Sequence, residues 1–161
     1  MGQEIERKFL VDGEGWRTSQ AMLYRQGYLN TSKERTVRVR LAGAKAFLTV
    51  KGVTQGATRD EFEYEIPVGD AEEMLDNLCE RPLIEKRRYC VEHAGFTWEV
   101  DEFLGENEGL VVAEIELENE SQSFKRPPWV GVEVTEDPRY FNANLVKYPY
   151  RNWRQSIRDQ E

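Results

Sequence analysis

The sequence predicts a mainly β (α+β) domain: an antiparallel sheet closed into a barrel, with charged faces turned inward and helices packed outside. Two observations carry that expectation. Strand-length runs alternate charged with apolar residues along most of the chain, and a strand sends successive side chains to opposite faces. The charged faces are also sorted by sign into acidic pairs and basic pairs. A sandwich that turns its polar faces to water needs no such sorting, whereas a barrel closed around something highly charged does.

The first run, about 3–11, sets Glu4, Glu6 and Lys8 on one face and Ile5, Arg7, Phe9 and Val11 on the other. A second covers 22–31. In 35–42, Arg38 and Arg40 share a face, and in 46–53 Lys51 sits with Thr49. Across 58–67, Glu61, Glu63 and Glu65 oppose Phe62, Tyr64 and Ile66. The run 82–92 pairs Lys86 with Arg88. The runs 95–103 and 109–119 return to acids, through Glu99 and Asp101 and then Glu114, Glu116 and Glu118. Short Gly-, Asn-, Ser- or Asp-containing stretches separate them, which reads as an antiparallel meander. A helix is expected over 70–78, N-capped by Asp70 and carrying Met74, Leu75 and Leu78 at helical spacing. Beyond the Pro127-Pro128-Trp129 break and a turn at 135–138, a terminal helix is expected over 142–157. Leu145, Val146, Trp153 and Ile157 would line one of its faces, interrupted or kinked at Pro149.

A length of 161 residues suits one domain spanning 1–161. Charged residues make up 32% of the chain and mean hydropathy is -0.72, yet aromatic and β-branched residues are plentiful, so a folded chain is expected. No apolar run approaches the roughly 18 residues that span a bilayer, and the first residues lack a signal-peptide pattern. The expected location is cytoplasmic, with no membrane partner. A net charge of -8 argues against nucleic acid as a partner, because such binding neutralises phosphates with a basic surface. It leaves room for a small phosphorylated ligand met by local cations. Cys79 and Cys90 are too few for a disulfide scaffold or a thiolate metal site and are expected as free, largely buried thiols. His93, the only histidine, falls in a hairpin turn with no catalytic motif around it.

The inward charges suit a triphosphate and a metal. A triphosphate carries about four negative charges near neutral pH, so burying it takes several cations aimed from fixed directions. Lys8, Arg38, Arg40, Lys51, Lys86 and Arg88 form a set of that size. Arginine's planar fork can hold two phosphate oxygens, and lysine supplies a compact point charge. Carboxylates alone would repel such a ligand. Glu4, Glu6, Glu61, Glu63, Glu114 and Glu116, with Asp101 beside them, make sense as holders of a hard cation, Mg²⁺ or Mn²⁺. The combination favours phosphoryl transfer to water. No P-loop or other Gly-rich phosphate fingerprint occurs, so strand side chains are expected to hold the phosphates.

At Glu4, Glu6 and Lys8 the chain resembles the CYTH superfamily, the triphosphate tunnel metalloenzymes, whose mark is E-x-E-x-K on the first strand. The likeness runs on through 23–29, Arg38 and Arg40, Lys51, Glu61 and Glu63, 85–89, Asp101, Glu114 and Glu116, 127–131, 133–137, Arg139, Tyr140 and Asn142. What it implies is an eight-stranded antiparallel barrel forming an open, charged tunnel with helices packed around it. The chain is most similar to the short bacterial members, which hydrolyse inorganic tripolyphosphate with Mg²⁺ or Mn²⁺. In that subgroup the residues matching Tyr28 and Lys8 act as a catalytic pair, with the tyrosine as proton acceptor. Read from the residues alone, Tyr28 needs a neighbouring cation such as Lys8 to favour its phenolate form.

The leading expectation is hydrolysis of tripolyphosphate to pyrophosphate and orthophosphate. Rivals in the same tunnel are a nucleoside or thiamine triphosphatase and a class IV adenylate cyclase. Each needs a place for a base or ring, and the sequence shows no dedicated aromatic pair beside the basic strands. A noncatalytic sensor of polyphosphate or nucleotide is the alternative of a different kind. A homodimer is left open.

Overall fold

A computed structural model describes residues 2–18 and 20–153. Among these residues nine strands form one sheet: β1 (Gln3–Val11), β2 (Met22–Asn30), β3 (Thr36–Ala42), β4 (Lys45–Lys51), β5 (Thr58–Ile66), β6 (Ile84–His93), β7 (Phe96–Phe103), β8 (Val111–Glu116) and β9 (Val130–Glu133). Their order is β5-β4-β3-β2-β6-β7-β8-β1-β9, and a further pairing of β5 with β1 closes the first eight into an antiparallel barrel. The edge of β1 that faces away from β8 is shared. The Glu6 N–H donates to the Ala57 carbonyl beside β5, and the Lys8 carbonyl accepts from the Val134 N–H after β9. Strand β9, absent from the sequence expectation, follows the Pro-Pro-Trp break and is only four residues long.

The hairpins show why these runs turn where they do. Ala94 and Gly95, both at positive φ, form the two-residue loop from β6 to β7, the conformation whose twist matches the flanking strands. Gly43, with φ 61°, takes the first position of the β3–β4 loop, where a side chain would be strained.

The barrel interior is polar, so the apolar core lies around it. Helix α1 (Val68–Asn77) crosses the outside on β3 and β4, burying Ala71 and Leu75 against Val39 and Ala46. It begins two residues ahead of the expected cap. Asp70 sits in the first turn, where it complements the helix dipole without capping, and Leu78 is exposed beyond the end. Trp16, Phe124 and Trp129 cover the outer faces of β1, β7 and β8 through Phe9, Trp98 and Ile115. At one end of the barrel the inward positions become apolar: Ile84, Phe103 and Val112 meet Leu145 and Val146 of α2 (Asn142–Lys147), backed by Tyr140 and Trp153. The expected terminal helix is broken at Pro149, with helical residues again at 150–153; Ile157 lies outside the described residues. Cys79 is buried as expected, but Cys90 is exposed. It shares the inward face of β6 with Lys86 and Arg88 but lies beyond them, where the barrel opens to solvent. No helix among the described residues is long and apolar enough to cross a membrane.

Candidate active site

Strand order turns the alternation of the sequence into two opposed walls. Strands β8, β1 and β5 are consecutive around the ring and contribute Glu114 and Glu116, then Glu4, Glu6 and Lys8, then Glu61 and Glu63. Strands β3, β2 and β6 are also consecutive and contribute Arg38 and Arg40, then Tyr24 and Tyr28, then Lys86 and Arg88. In an eight-strand ring β1 and β2 stand diametrically apart, so an acidic wall faces a basic one across a cavity of about 820 Å³. Lys51 of β4 also lines that cavity. Asp101 alone of the expected site residues does not.

On the acidic side, the two lysines are each bracketed by carboxylates. Lys8 Nζ lies 3.1 Å from Glu6 and 2.8 Å from Glu114, and Lys51 Nζ lies 3.4 Å from Glu4 and 3.1 Å from Glu61. Burial alone would depress the Lys8 pKa, but Glu114 and Glu6 together raise it above the ordinary lysine value. Lys8 is therefore a fixed positive charge. The carboxylates outnumber these cations, and they divide into two hydrogen-bonded pairs in which one member is raised and the other lowered. Burial, reinforced by Glu114, pushes Glu6 up to about 8. Glu114 is pulled well below the carboxylate range, because Lys8, Arg88 and Lys86 overcome its burial. Burial likewise raises Glu4 despite Lys51, while Glu61, hydrogen-bonded to Glu4 and close to Lys51, is lowered against its own burial. Glu116 is raised by burial and by its acidic neighbours Glu4 and Glu61. Among the described residues no three carboxylate, histidine or cysteine groups are gathered closely enough to hold an ion unaided.

The basic side is held from behind. Asp101, 0% exposed, accepts two bonds from Arg88, Nε at 2.7 Å and Nη2 at 2.9 Å, and also meets Lys86 Nζ at 2.8 Å. Burial would raise Asp101, but Arg88 and Lys86 pull it down to about 2. Lys86, 1% exposed, is pushed down to about 7 by burial and by Arg88 and Arg40, which outweigh Asp101. Arg40 is pushed down to about 10 by burial, Arg38 and Arg88. Arg38 donates to Thr49 and Glu63, and its buried Nε has no partner among the described residues. Crowded, desolvated cations with an unsatisfied N–H are a wall short of anionic oxygen atoms.

Tyr28 and Lys8 line the same cavity from opposite strands, and no hydrogen bond joins them. Tyr28 is 4% exposed at the border of the apolar end, and its hydroxyl oxygen accepts from Gln26 Nε2 at 3.4 Å. Three side chains in this wall were given no site role in the sequence expectation. Gln26 is fully buried and accepts from Arg40 Nε at 2.8 Å. Asn142 enters from α2. Tyr24 has the guanidinium carbons of Arg40 and Arg88 at 4.9 and 4.6 Å from its ring centre. With Phe47, Tyr24 lines the cavity, so aromatic rings do stand beside the basic strands, contrary to the sequence expectation. Only the alternation, which puts Tyr24 and Gln26 in phase with Tyr28, could have found two of the three.

The CYTH domain family model matches residues 2–150. An inorganic triphosphatase of Acetivibrio thermocellus is 58% identical over 156 residues, 96% of this chain and 100% of that protein. An inorganic triphosphatase of Nitrosomonas europaea is 41% identical over 151 residues, 89% of this chain and 96% of that protein. A crystal structure of an inorganic triphosphatase is similar with a TM-score of 0.64 at 37% identity, covering 88% of this chain and 96% of the other.

Proposed function

The chain belongs to the CYTH domain family, and from that premise we propose that it is an inorganic triphosphatase, cleaving tripolyphosphate with water to pyrophosphate and orthophosphate. The observation that carries this reading is the opposition of a basic and an acidic wall across one cavity. The entire chain is read as one domain serving this site.

Arg38, Arg40, Lys86 and Arg88 hold the phosphate oxygens, joined by Lys51 from β4. Anionic oxygen atoms would relieve the mutual repulsion of these cations and supply a partner for the Arg38 Nε. Asp101 spans Lys86 and Arg88 behind the wall, so its role is to position them. Lys8 keeps its proton and supplies charge at the scissile group, and the family resemblance assigns the proton of the attacking water to the Tyr28 hydroxyl, which stands across the cavity.

The donor set fits a hard divalent cation. Glu4 and Glu6, crowded by Glu61 and Glu114 and tending to hold protons, are oxygen ligands that a cation would relieve more effectively than a proton does. Glu4, Glu6, Glu61, Glu114 and Glu116, with Glu63 at the exposed margin, are the carboxylates from which it would draw its protein ligands, fewer than three of them at any one point, and Mg²⁺ and Mn²⁺ both suit oxygen ligands. When bound, such an ion supplies neutralisation of the charge that develops on the phosphate oxygens. Phosphate and water oxygens would complete its shell beside the carboxylates. Two guanidiniums already sit over the Tyr24 ring, so that ring is engaged, which favours inorganic triphosphate over a nucleotide. Phosphate release from tripolyphosphate, ATP and thiamine triphosphate, each with Mg²⁺, Mn²⁺ or chelator, tests the reading. Metal-dependent release favouring tripolyphosphate is expected; binding without release from any of the three would replace the enzyme with a sensor.

A further inference from the structure

We propose that Asn142 is a positioning residue of this site, its side-chain oxygen acting as the shared acceptor that sets the spacing between the cations of β3 and those of β6. The inference rests on the triphosphate reading of the cavity. Asn142 Oδ1 accepts from Gln26 Nε2 at 3.1 Å and from Lys86 Nζ at 3.0 Å. An ammonium can only donate, so the oxygen and not the nitrogen of the carboxamide must face Lys86. From that oxygen two chains of contact diverge. One passes through Gln26, whose own oxygen accepts from Arg40 Nε and whose nitrogen also reaches the Tyr28 hydroxyl. The other passes through Lys86 to Asp101, which grips Arg88. One atom contributed by α2 thus ties Arg40 of β3, through Gln26 of β2, to the phosphate-holding groups of β6.

The choice of a neutral carboxamide follows from the charges around it. An aliphatic side chain would leave the Lys86 ammonium with one acceptor fewer at a site 1% exposed. A carboxylate would keep the acceptor but put a full negative charge among cations that the triphosphate must use.

Asn142→Ala and Asn142→Asp separate this role from mere docking of α2. The readouts are KM and kcat for tripolyphosphate with Mg²⁺, calorimetric binding of tripolyphosphate with chelator present, and thermal melting. Asn142→Ala should raise KM and the binding constant about tenfold while kcat stays within about threefold. Asn142→Asp should melt no lower than the parent, because it keeps the acceptor, and yet bind at least tenfold more weakly. An aspartate variant with parental KM would show that a charge placed at this oxygen does not reach the phosphate-holding cations, so that the acceptor serves only to dock α2, and would overturn the proposal. So would either folded variant with KM and binding within twofold of the parent. If the alanine variant fails to fold, the aspartate variant decides alone. A parent that neither binds nor hydrolyses tripolyphosphate defeats the triphosphate reading itself, whereas a parent that binds beside indistinguishable variants defeats only the role of Asn142.

Discussion

Glu6→Gln should flatten the pH dependence of stability in the metal-free protein. Glu6 is buried beside Glu114, its side chain 17% exposed, and its pKa stands at about 8 against an ordinary 4.5. Between those values the folded chain keeps a proton that the unfolded chain has released, so stability falls as pH rises through this window. From pH 5 to pH 7 the loss is about 2 kcal/mol by linkage. Other groups do not reverse it there. Glu4 and Glu116 are raised and add in the same direction, while the lowered Glu61 and Glu114 change stability only below the ordinary carboxylate range. Lys86, pushed down to about 7, acts with the opposite sign, but mostly above that pH, which is why the comparison stops at 7. Urea unfolding with chelator present is the assay. With a slope of about 2 kcal/mol per molar, the parent midpoint should fall by about 1 M between pH 5 and pH 7, and the Glu6→Gln substitution should remove most of that fall. Saturating Mg²⁺ should also flatten the parent curve by taking the place of the proton. Equal slopes for parent and variant would refute the crowding of Glu6.

Tyr28→Phe keeps the ring in its buried place and should leave KM for tripolyphosphate nearly unchanged while lowering kcat about a hundredfold or more, as steady-state assays would show; unchanged kcat would remove Tyr28 from proton transfer. Lys86→Ala removes a cation whose neighbour Asp101 stays paired with Arg88, so calorimetry should find binding weakened about tenfold or more with the fold retained. Gly27→Ala would bring a Cβ within 2.7 Å of Leu83 Cδ2 and 2.8 Å of Cys79 Cβ, between β2 and the segment after α1; chemical denaturation should show a loss of about 1–3 kcal/mol.

Residues 4, 6 and 8, 38 and 40, 61 and 63, 86 and 88, and 114 and 116 could be placed on inward faces from sequence because period-two alternation is a local property of the strand. Their sorting by sign then hinted at opposed walls. Which strands would be neighbours is non-local, and only the ring order sets β1 across from β2 and so places Lys8 across from Tyr28. Asp101 looked like a ligand because it shares the acidic pattern; the fold turns both its oxygens to Arg88 and Lys86. Gln26 and Asn142 were silent as site residues because a neutral amide carries no charge pattern, and their partners lie 116 and 56 residues away in the chain. Cys90 misled for a related reason: alternation gives the face of a strand but not the height at which the barrel ends.

The most direct test is ³¹P NMR of tripolyphosphate incubated with the protein and Mg²⁺ or Mn²⁺, beside an identical sample with excess chelator. The opposed acidic and basic walls predict equal amounts of pyrophosphate and orthophosphate growing in with metal and an unchanged spectrum without it. Equal rates in the two samples, or an intact triphosphate in both, would contradict the assignment of the acidic wall to a cation and of the cavity to triphosphate hydrolysis.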